Sequence, residues 1–508
     1  MEARDPFRVL IAGGGVAGLE GALALRALAG DLVSLELLSA TDRFIYKPML
    51  VAEPFGVGAD TSVDLGPLLD DADARHRRDS LAAVEGDERV AVTGQGERIG
   101  YDALLVAFGA RPVEAIPGAL TFSGTTERAR FGELLLAMGR LGTRRLAFVV
   151  PPQATWSIAA YELALLTASE RDARRIRRVE ITVLTHEASP MALFGPAAER
   201  LVAAKLAEAG VVLRTASIAE SFDGRELRLA GGETVEADQV IALPGLEVPA
   251  VPGLPQREHG FLPTDDRMKI EGLDHVWAAG DATAFAVKQG GLAAQQAVLA
   301  ARAIAASAGA RVDVPPFRPV LRAAMITGDT PDFMQAPAGE PNAGIASTGH
   351  APWATRAKLA AAHLGPRLTG GSVGERVPSH AVRTLLLAAD EDARSGNYEA
   401  ALGWLAVVEQ LNLVIPAEYV VRRDEWRRWL DPELDPDEAA RRIEGRFPSA
   451  AEAISDLQRR VGWLREIEKR TGGEMQHQLV DLERGIEELV ALSRKTGNLR
   501  PESPGRDR

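Results

Sequence analysis

The chain has 508 residues, enough for about three domains of roughly 150 residues each. Hydrophobic residues make up 46% and charged residues 25%, which is an ordinary globular composition and excludes a fibrous or wholly disordered chain. The net charge is −13, whereas a dedicated nucleic-acid binder usually carries a basic surplus. There is no cysteine, which excludes disulfides, thiolate metal sites, iron–sulfur clusters and thiol-based catalysis.

The first segment predicts a strand, a glycine-rich turn and a helix. Phe7–Ala12 is a short apolar run, an alanine- and leucine-rich helix follows, and Val33–Leu38 is a second strand. The turn reads Gly13-x-Gly15-x-x-Gly18. In such a unit the first glycine permits the turn, the second lets the backbone approach a pyrophosphate, and the third lets the helix pack on the strand. The helix N-terminus then faces the phosphates, so the segment predicts dinucleotide binding.

The ribose contact of this unit has three candidates. Ser39 stands at the end of the second strand, where an acidic residue usually binds the ribose hydroxyls. Its hydroxyl can make the same hydrogen bond, and Glu36 and Asp42 are the alternatives. The competing interpretation is that each of them is an ordinary strand-end or turn residue.

Strands and helices continue to alternate as far as residue 310. The alternation between 125 and 214 predicts a second parallel, doubly wound sheet, and the glycine- and proline-rich stretch 244–255 returns the chain to the first domain. Strands are predicted at 82–84, 90–92, 101–107, 145–150, 179–185, 211–214 and 276–279, and helices at 127–138, 157–170, 196–209 and 291–306.

The pattern changes beyond residue 312. We predict loops or linkers at 330–350 and 369–378, where glycine, proline and alanine concentrate. Trp353–Leu364 is a candidate short helix, either a packed connector or an interfacial helix. From Ser379 onward the chain is predicted to be helical.

The tail carries two helical-hairpin signals. The segment 392–402 resembles a single tetratricopeptide hairpin, with Gly396 at the turn and Tyr398 and Ala401 packing on the partner helix. Further on, apolar residues recur at helical spacing, which predicts an antiparallel hairpin or short coiled coil that packs on its own chain or joins two subunits. These residues are Ile454, Leu457, Val461 and Leu464, then Met475, Leu479, Leu482, Ile486 and Leu489.

Two further motifs carry a family resemblance. The segment 275–281 ends a strand in Ala-Gly-Asp, and 101–112 ends a strand in Phe-Gly-Ala-Arg-Pro. Together with the glycine-rich turn, and in this order, they resemble the pyridine nucleotide–disulfide oxidoreductase superfamily in its two-dinucleotide-domain form. The resemblance covers residues 7–310, continues more weakly to 370 and does not reach the tail. It implies a noncovalent FAD, with Asp281 bonded to its ribityl or pyrophosphate part.

Within the superfamily the chain is most similar to sulfide:quinone oxidoreductases, flavocytochrome-type sulfide dehydrogenases and type II NADH dehydrogenases. The segments 44–56 and 287–296 carry this similarity, and in those families both border the isoalloxazine ring. Lys47 and Lys288 are candidate catalytic residues, because a cation near the N1–C2=O end would stabilise an anionic reduced flavin. The alternative is that both are surface lysines. The predicted cofactor-binding residues are Gly13, Gly15, Val16, Ala17, Gly18, Ser39, Lys47, Leu81, Gly109, Gly280, Asp281, Gln289 and Gly290.

Two departures limit what the resemblance implies. Sulfide oxidation in those families needs redox cysteines near the flavin, and this chain has none. The turn of the second domain, Pro151–Trp156, contains no glycine, and its prolines lack backbone N–H donors. The turn therefore argues against ordinary NAD(P)H binding. Trp156, a third catalytic candidate, and Gln153 either form a substrate wall or simply pack.

The predicted fold is α/β, with two doubly wound, Rossmann-like domains of the FAD/NAD(P)-binding type and an α-helical C-terminal extension. The predicted function is electron or hydride transfer through FAD to a quinone-like or small-molecule acceptor, with the donor unidentified. The alternatives are a type II-like NAD(P)H dehydrogenase and an FAD-containing redox-sensing or assembly protein that binds partners through its tail. The predicted segments are 1–124 and 246–310 for the FAD domain, 125–245 for the second domain, 311–378 for a connector and 379–508 for the helical extension.

The expected location is the cytoplasm, because the acidic N-terminus lacks a signal-peptide pattern and no apolar run reaches about 18 residues. Peripheral association with the inner face of the membrane stays open. We expect a small-molecule donor and acceptor, no nucleic acid, and a homo-oligomer if the C-terminal helices join subunits. The eight histidines show no metal-ligand spacing, so we assign no metal.

Overall fold

The computed structural model describes most of the chain. The described residues are 5–55, 62–123, 125–138, 144–173, 176, 178–327, 331–348, 358–368, 379–411, 419, 422, 423, 425–427, 449–471, 486, 487, 489, 490 and 493. The chain divides into two compact units. Unit 1 comprises Met1–Val51, Thr61–Glu127 and Ala137–Gly374, and unit 2 comprises Ala52–Asp60, Arg128–Leu136 and Glu375–Arg508. The five-segment division stays a prediction.

The elements follow in chain order. The strands are β1 Phe7–Ala12, β2 Val33–Leu38, β3 Arg43–Ile45, β4 Ser62–Asp64, β5 Ala74–Arg77, β6 Leu81–Glu85, β7 Val90–Thr93, β8 Arg98–Gly100, β9 Ala103–Val106, β10 Arg111–Val113, β11 Leu120–Thr121, β12 Arg145–Val150, β13 Glu180–Thr185, β14 Val211–Arg214, β15 Ala219–Phe222, β16 Glu226–Leu229, β17 Thr234–Glu236, β18 Gln239–Ala242, β19 Gly245–Glu247, β20 Val276–Ala278, β21 Val320–Met325, β22 Asp332–Pro337 and β23 Ile345–Thr348. The helices are α1 Val16–Ala29, α2 Leu65–Asp71, α3 Thr125–Ala137, α4 Ile158–Ala173, α5 Pro196–Glu208, α6 Gly290–Ser307, α7 Ser379–Arg394, α8 Tyr398–Gln410 and α9 Ala450–Thr471.

The first sheet of unit 1 is parallel and has the strand order β20-β9-β1-β2-β5. Its central strand, β1, is buried from Val9 to Ala12, which explains why this run is continuously apolar rather than alternating. The helix α1 connects β1 to β2, as a parallel crossover requires. The β-α-β unit predicted from the sequence is therefore confirmed.

The second sheet of unit 1 is also parallel, with the order β11-β18-β12-β13-β14. Small antiparallel sheets accompany the two parallel ones, among them β6-β7-β8 and β15-β16-β17. Two parallel sheets with crossover helices confirm the predicted α/β fold with two Rossmann-like sheets. Up to residue 310 the boundaries predicted from the sequence differ from the observed ones by at most three residues.

The prediction of a loop over 330–350 is wrong. Within this range β22 and β23 pair with β21 in an antiparallel sheet. Asp332, which is fully buried, accepts hydrogen bonds from Thr327 and Thr348 and lies 3.0 Å from the ammonium of Lys205. Partners distant in sequence stabilise these short strands, and local composition does not record such partners.

The candidate helix Trp353–Leu364 is not helical where the structure describes it. Residues 358–364 form bends and irregular chain, followed by a single 3-10 turn at Gly365–Arg367. Residues 353–357 and the predicted linker 369–378 lie outside the described residues. Among the described residues, no helix is both long and apolar enough to span a bilayer.

Unit 2 has a helical core built by α7, α8 and α9. Gly396, with φ +77°, forms the turn between α7 and α8, and Ala401 is fully buried, as the hairpin prediction requires. Asp392 of α7 accepts hydrogen bonds from the indole of Trp404 at 2.6 Å and from the guanidinium of Arg460 at 2.8 Å. This carboxylate therefore ties all three helices together.

The apolar repeats of the tail are buried within their own chain. Ile454, Leu457, Val461, Ile486 and Leu489 belong to the same core cluster as Trp404. Leu464 has no described side chain, and Met475, Leu479 and Leu482 lie outside the described residues. The five described side chains thus follow the intramolecular alternative, and homo-oligomerisation stays a prediction.

Candidate functional site

The glycine-rich turn after β1 has the geometry that each glycine was predicted to supply. Gly13 has φ +128°, and a Cβ there would lie 2.3 Å from the carbonyl oxygen of Ala107. A Cβ on Gly18 would lie 1.8 Å from the carbonyl oxygen of Gly13, so only glycine lets α1 approach β1 this closely. A Cβ on Gly15 meets nothing within 4 Å. The middle glycine thus borders open space at the start of α1.

That open space is a cavity of about 470 Å³ in unit 1. Eleven of the thirteen predicted cofactor-binding residues and two further catalytic candidates line it: Gly13, Gly15, Val16, Ala17, Ser39, Lys47, Gly109, Gly280, Asp281, Gln289 and Gly290, with Trp156 and Lys288. Gly18 lies behind the wall at the β1–α1 contact. Leu81 does not line the cavity and instead packs beside a neighbouring hydrophobic core, so its role stays a prediction.

The three ribose candidates differ in position. Ser39 lines the cavity and is mostly buried, and its hydroxyl donates to the carbonyl oxygen of Thr41 at 2.8 Å. Glu36 lies 2.5 Å from the guanidinium of Arg77, and Asp42 is exposed. Neither carboxylate lines the cavity. The geometry therefore favours Ser39 among the three.

The Gly-Asp motif after β20 faces the cavity from the side of α6. The N–H of Gly280 donates to the side-chain oxygen of Gln296 at 2.8 Å, and a Cβ on Gly280 would lie 3.1 Å from that of Ala17. This close approach brings the N-terminal part of α1 near the motif. Asp281 follows at the cavity wall and is half-buried.

The two lysines that were predicted as catalytic candidates, Lys47 and Lys288, have different surroundings in the cavity. Lys47 is exposed, whereas Lys288 is 8% exposed. The ammonium of Lys288 donates to the carbonyl oxygens of Thr283 and Phe285 and lies 4.1 Å from the centre of the Phe261 ring. Burial lowers the pKa of Lys288 to about 8, against the opposing effect of Asp281. The ammonium of Lys288 is therefore fixed by hydrogen bonds and is partly desolvated.

The glycine-free turn of the second domain places an indole in the same cavity. Trp156 lines the cavity and packs edge-on against Phe194, with ring centres 5.8 Å apart. The N–H of Ala154, one of the few donors in this turn, is used by the carbonyl oxygen of Pro151. Gln153 does not line the cavity. Trp156 therefore both lines the cavity and packs on Phe194, so its role as a substrate wall stays a prediction.

The sequence did not assign a role to the buried ion pair of this cavity. Glu162 of α4 and Lys358 both line it, with side chains 1% and 6% exposed and the charged atoms 2.5 Å apart. Burial raises the pKa of Glu162 and lowers that of Lys358, so both shifts favour the neutral forms. The one sequence feature that could have indicated this site is Glu162, a single carboxylate inside an otherwise apolar stretch of α4.

The segment that carries Lys358 is held by hydrogen bonds to buried side chains. Glu20 of α1 is fully buried, and its carboxylate accepts the backbone N–H groups of residues 362–364 at 2.6–3.0 Å. The N–H of Leu359 donates to the hydroxyl of Tyr46 at 2.8 Å. A carboxylate that accepts three backbone N–H groups is well satisfied without a cation. Glu20 and Tyr46 therefore position Lys358 over the cavity.

The two parallel Rossmann-type sheets and the cavity at the glycine-rich turn define a protein of the dinucleotide-binding class. The family described as pyridine nucleotide-disulphide oxidoreductase matches residues 7–303, and the chain belongs to this family. The resemblance inferred from the three motifs is thereby confirmed.

Two curated relatives resemble parts of the chain. A sulfide-quinone reductase from Aquifex aeolicus is 29% identical over 185 residues, which are 35% of this chain and 43% of that protein. An alternative NAD(P)H-ubiquinone oxidoreductase from Arabidopsis thaliana is 26% identical over 326 residues, 55% of this chain and 62% of that protein. The chain thus matches less than two thirds of the length of either relative.

Solved structures share the fold. The sulfide:quinone oxidoreductase of Aquifex aeolicus superposes with a TM-score of 0.62 at 21% identity, covering 68% of this chain and 87% of that one. Putidaredoxin reductase, in its covalent complex with putidaredoxin, gives 0.51 at 18% identity, covering 66% and 82%. At these identities the likeness shows the fold alone.

Proposed function

We propose that this protein is an FAD-dependent oxidoreductase that transfers electrons or hydride through a noncovalent flavin to a quinone-like or small-molecule acceptor. The observation that carries the proposal is the empty side of Gly15, where an added Cβ meets nothing within 4 Å at the start of α1. A glycine that faces open space between two sterically required glycines fits a pyrophosphate held by backbone N–H groups.

The lining residues suit FAD. The turn from Gly13 and the N-terminus of α1 would hold the pyrophosphate, Ser39 the ribose, and Asp281 the ribityl or pyrophosphate part. When bound, FAD supplies two-electron and one-electron transfer, which the side chains of this cavity do not provide. Lys47, Lys288 and Trp156 then border the reacting part of the cavity.

Glu162 and Lys358 supply a proton in this proposal. Reduction of a quinone to a quinol takes up a hydride and one proton. Bound reduced FAD would supply the hydride, so an acceptor in this cavity needs one proton donor nearby. The buried pair shares a proton between the carboxylate and the amine, with water largely excluded. Because burial favours the neutral forms, the proton rests on the carboxyl group of Glu162. It passes through the amine of Lys358 to an oxygen of the acceptor, which leaves Glu162 ionised until solvent returns a proton to the pair.

The donor and the location belong to the same proposal. Sulfide oxidation through redox cysteines is excluded, because the chain has no cysteine. The 26% identical NAD(P)H-ubiquinone oxidoreductase favours a second candidate, a type II-like NAD(P)H dehydrogenase, while the turn at 151–156 opposes it. A redox-sensing or assembly role through the helical tail is the third candidate. We place the protein in the cytoplasm, with peripheral membrane association as the alternative.

Anaerobic stopped-flow measurements on the FAD-loaded protein test this function. We expect Lys358→Met to slow quinone reduction more than tenfold and Glu162→Gln to change its pH profile, while reduction of the flavin by dithionite keeps its rate. Lys269→Met is the matched control, because Lys269 is a surface lysine paired with Asp274. A protein that binds no FAD, or whose flavin no quinone oxidises, would contradict the proposal.

A further inference from the structure

A second cavity of about 700 Å³ lies in unit 1, along the side of α6. Its walls are largely apolar and include Val298, Leu299 and Phe317. Phe317 is fixed by an edge-on contact with Phe285, with ring centres 5.8 Å apart, and by its backbone N–H, which donates to the carbonyl oxygen of Asp266. The cavity thus offers an apolar space large enough for a small organic molecule.

Three arginines line this apolar space, Arg302, Arg318 and Arg322. Arg302 donates to the carbonyl oxygen of Asp313, and Arg322 donates to the side-chain oxygen of Gln335. Within the described part of the chain none of the three forms an ion pair. Each guanidinium has five N–H donors, so each keeps donors for a ligand.

The carboxylate that lines the cavity does not neutralise these cations. Glu20 is satisfied by the three backbone N–H groups of residues 362–364. Burial lowers the pKa of Arg322. The cavity is therefore a positive, partly desolvated space with apolar walls.

Arg322 connects the two cavities, because it lines both. The segment 358–362 forms the rest of the shared boundary, with Lys358 and Leu359 on the first cavity and Ala360–Ala362 on the second. A ligand that draws the guanidinium of Arg322 toward the second cavity would change the charge beside the first.

We propose that the second cavity is a binding site for an amphipathic small-molecule anion, one with an apolar or aromatic body and a single carboxylate, sulfonate or phosphate group. The body packs on Phe317 and the aliphatic side chains, and the anionic group binds Arg302 and Arg318 with Arg322 beside it. The apolar walls favour a ligand with an apolar body, and the three guanidinium groups, which form no ion pair within the described part of the chain, favour a ligand with a negative charge. This site is separate from the FAD site, and its test needs no turnover.

The test uses the FAD-loaded, full-length protein with 1-anilinonaphthalene-8-sulfonate as the anionic probe and N-phenyl-1-naphthylamine as its uncharged analogue. Calorimetry is expected to show one saturable site for the anion, with weaker binding of the neutral analogue. Arg302→Gln and Arg318→Gln should each lower the affinity for the anion about tenfold, since each removes a charge-assisted hydrogen bond. Neither variant should change the affinity for the neutral analogue. A small shift of the flavin absorbance on anion binding is the expected sign of the link through Arg322.

Arg311→Gln is the matched control, because Arg311 is an exposed arginine outside the cavity lining. If Arg311→Gln lowers the affinity for the anion as much as the two cavity variants do, a general effect of net charge explains the binding and the proposal is wrong. The absence of saturable binding, or equal binding of both probes, also overturns it.

Sedimentation with phosphatidylglycerol and phosphatidylcholine vesicles distinguishes a soluble ligand from a lipid headgroup. If the protein pellets with the anionic vesicles, and Arg318→Gln abolishes this pelleting without changing probe binding, the arginines bind a membrane surface instead.

Discussion

Gly15 is the residue on which the cofactor proposal depends most directly. Its neighbours Gly13 and Gly18 are required by contacts within the protein, so substituting them damages the fold itself. At Gly15 a side chain would enter the cavity instead. We expect Gly15→Val to fold and to retain less than about a tenth of the FAD, because the branched side chain keeps the pyrophosphate away from the backbone.

The ratio of flavin to protein absorbance after purification measures this loss. Gly66→Val is the matched control, since Gly66 also has nothing within 4 Å of its Cβ position but lies in α2 outside the cavity lining. Full FAD content in Gly15→Val would show that this turn does not hold the cofactor.

Lys288 predicts a pH dependence of stability. Its pKa is lowered from 10.5 to about 8 in the folded protein, mainly by burial. Between these values the unfolded chain holds a proton that the folded chain does not, so the free energy of unfolding rises with pH. Relative to Lys288→Met, the wild-type protein should gain up to about 3 kcal/mol between pH 8 and pH 10.5.

Urea unfolding of the FAD-free proteins at half-unit steps from pH 6 to pH 10.5 provides the comparison. Below about pH 7 the two profiles should run parallel, because both the folded and unfolded wild-type chains are protonated at Lys288. Lys269→Met, at the surface, should show no such divergence above pH 8. Profiles that stay parallel throughout would mean that Lys288 keeps its ordinary pKa.

At the scale of elements, the turn after β12 determines how strongly the protein is expected to bind a nicotinamide nucleotide. Backbone N–H groups of a glycine-lined turn normally bind the pyrophosphate, whereas Pro151 and Pro152 have none and Trp156 faces the cavity. Losing one or two charge-assisted hydrogen bonds costs about 1.5–3 kcal/mol each, or roughly ten- to a hundredfold in affinity. We expect NADH and NADPH to reduce the bound FAD slowly and without saturation at cellular concentrations.

Stopped-flow absorbance under anaerobic conditions, with dithionite as the positive control, measures these rates over a range of nucleotide concentrations. Rapid, saturable reduction by micromolar NADH would refute this expectation and favour the dehydrogenase candidate.

The elements themselves were predicted unevenly, for a physical reason. Up to residue 310, the predicted strands of the two parallel sheets are short apolar runs and their helices are alanine-rich, so local sequence reports these elements. The parallel strands β5, β11 and β18 were not predicted: β5 reads Ala-Arg-His-Arg and β11 has only two residues. The strands β22 and β23 were missed because β21 and the buried Asp332 stabilise them. The predicted helix Trp353–Leu364 is not formed at 358–364, because Tyr46 and Glu20 accept the backbone N–H groups of Leu359 and of residues 362–364. Its conformation depends on residues more than 300 positions away.

At the scale of the whole molecule, deletion of residues 379–508 removes most of unit 2 and leaves unit 1. All lining residues of the first cavity belong to unit 1, so the truncated chain should still bind FAD. Segments 52–60 and 128–136 belong to unit 2 together with the tail, and Phe131 in the second segment is fully buried. Truncation exposes such apolar surface, and we expect lower solubility or a changed oligomeric state.

Flavin absorbance and light scattering of the truncated protein check both parts of this prediction. A monodisperse truncated protein with the oligomeric state of the full chain would contradict the second part, and complete loss of FAD would show that the tail completes the cofactor site.

The sequence by itself determined the two nucleotide-binding-type sheets, the glycine-rich turn, the Gly-Asp motif and the absence of thiol chemistry. These features are local, because each follows from residues within one strand–turn–helix unit or from composition. Only the tertiary structure decided that Trp156 faces the cavity, that Glu162 pairs with Lys358 and that Glu20 holds the segment beside them. These contacts join residues up to 344 positions apart, and the burial that shifts their pKa values arises only when distant elements pack around them.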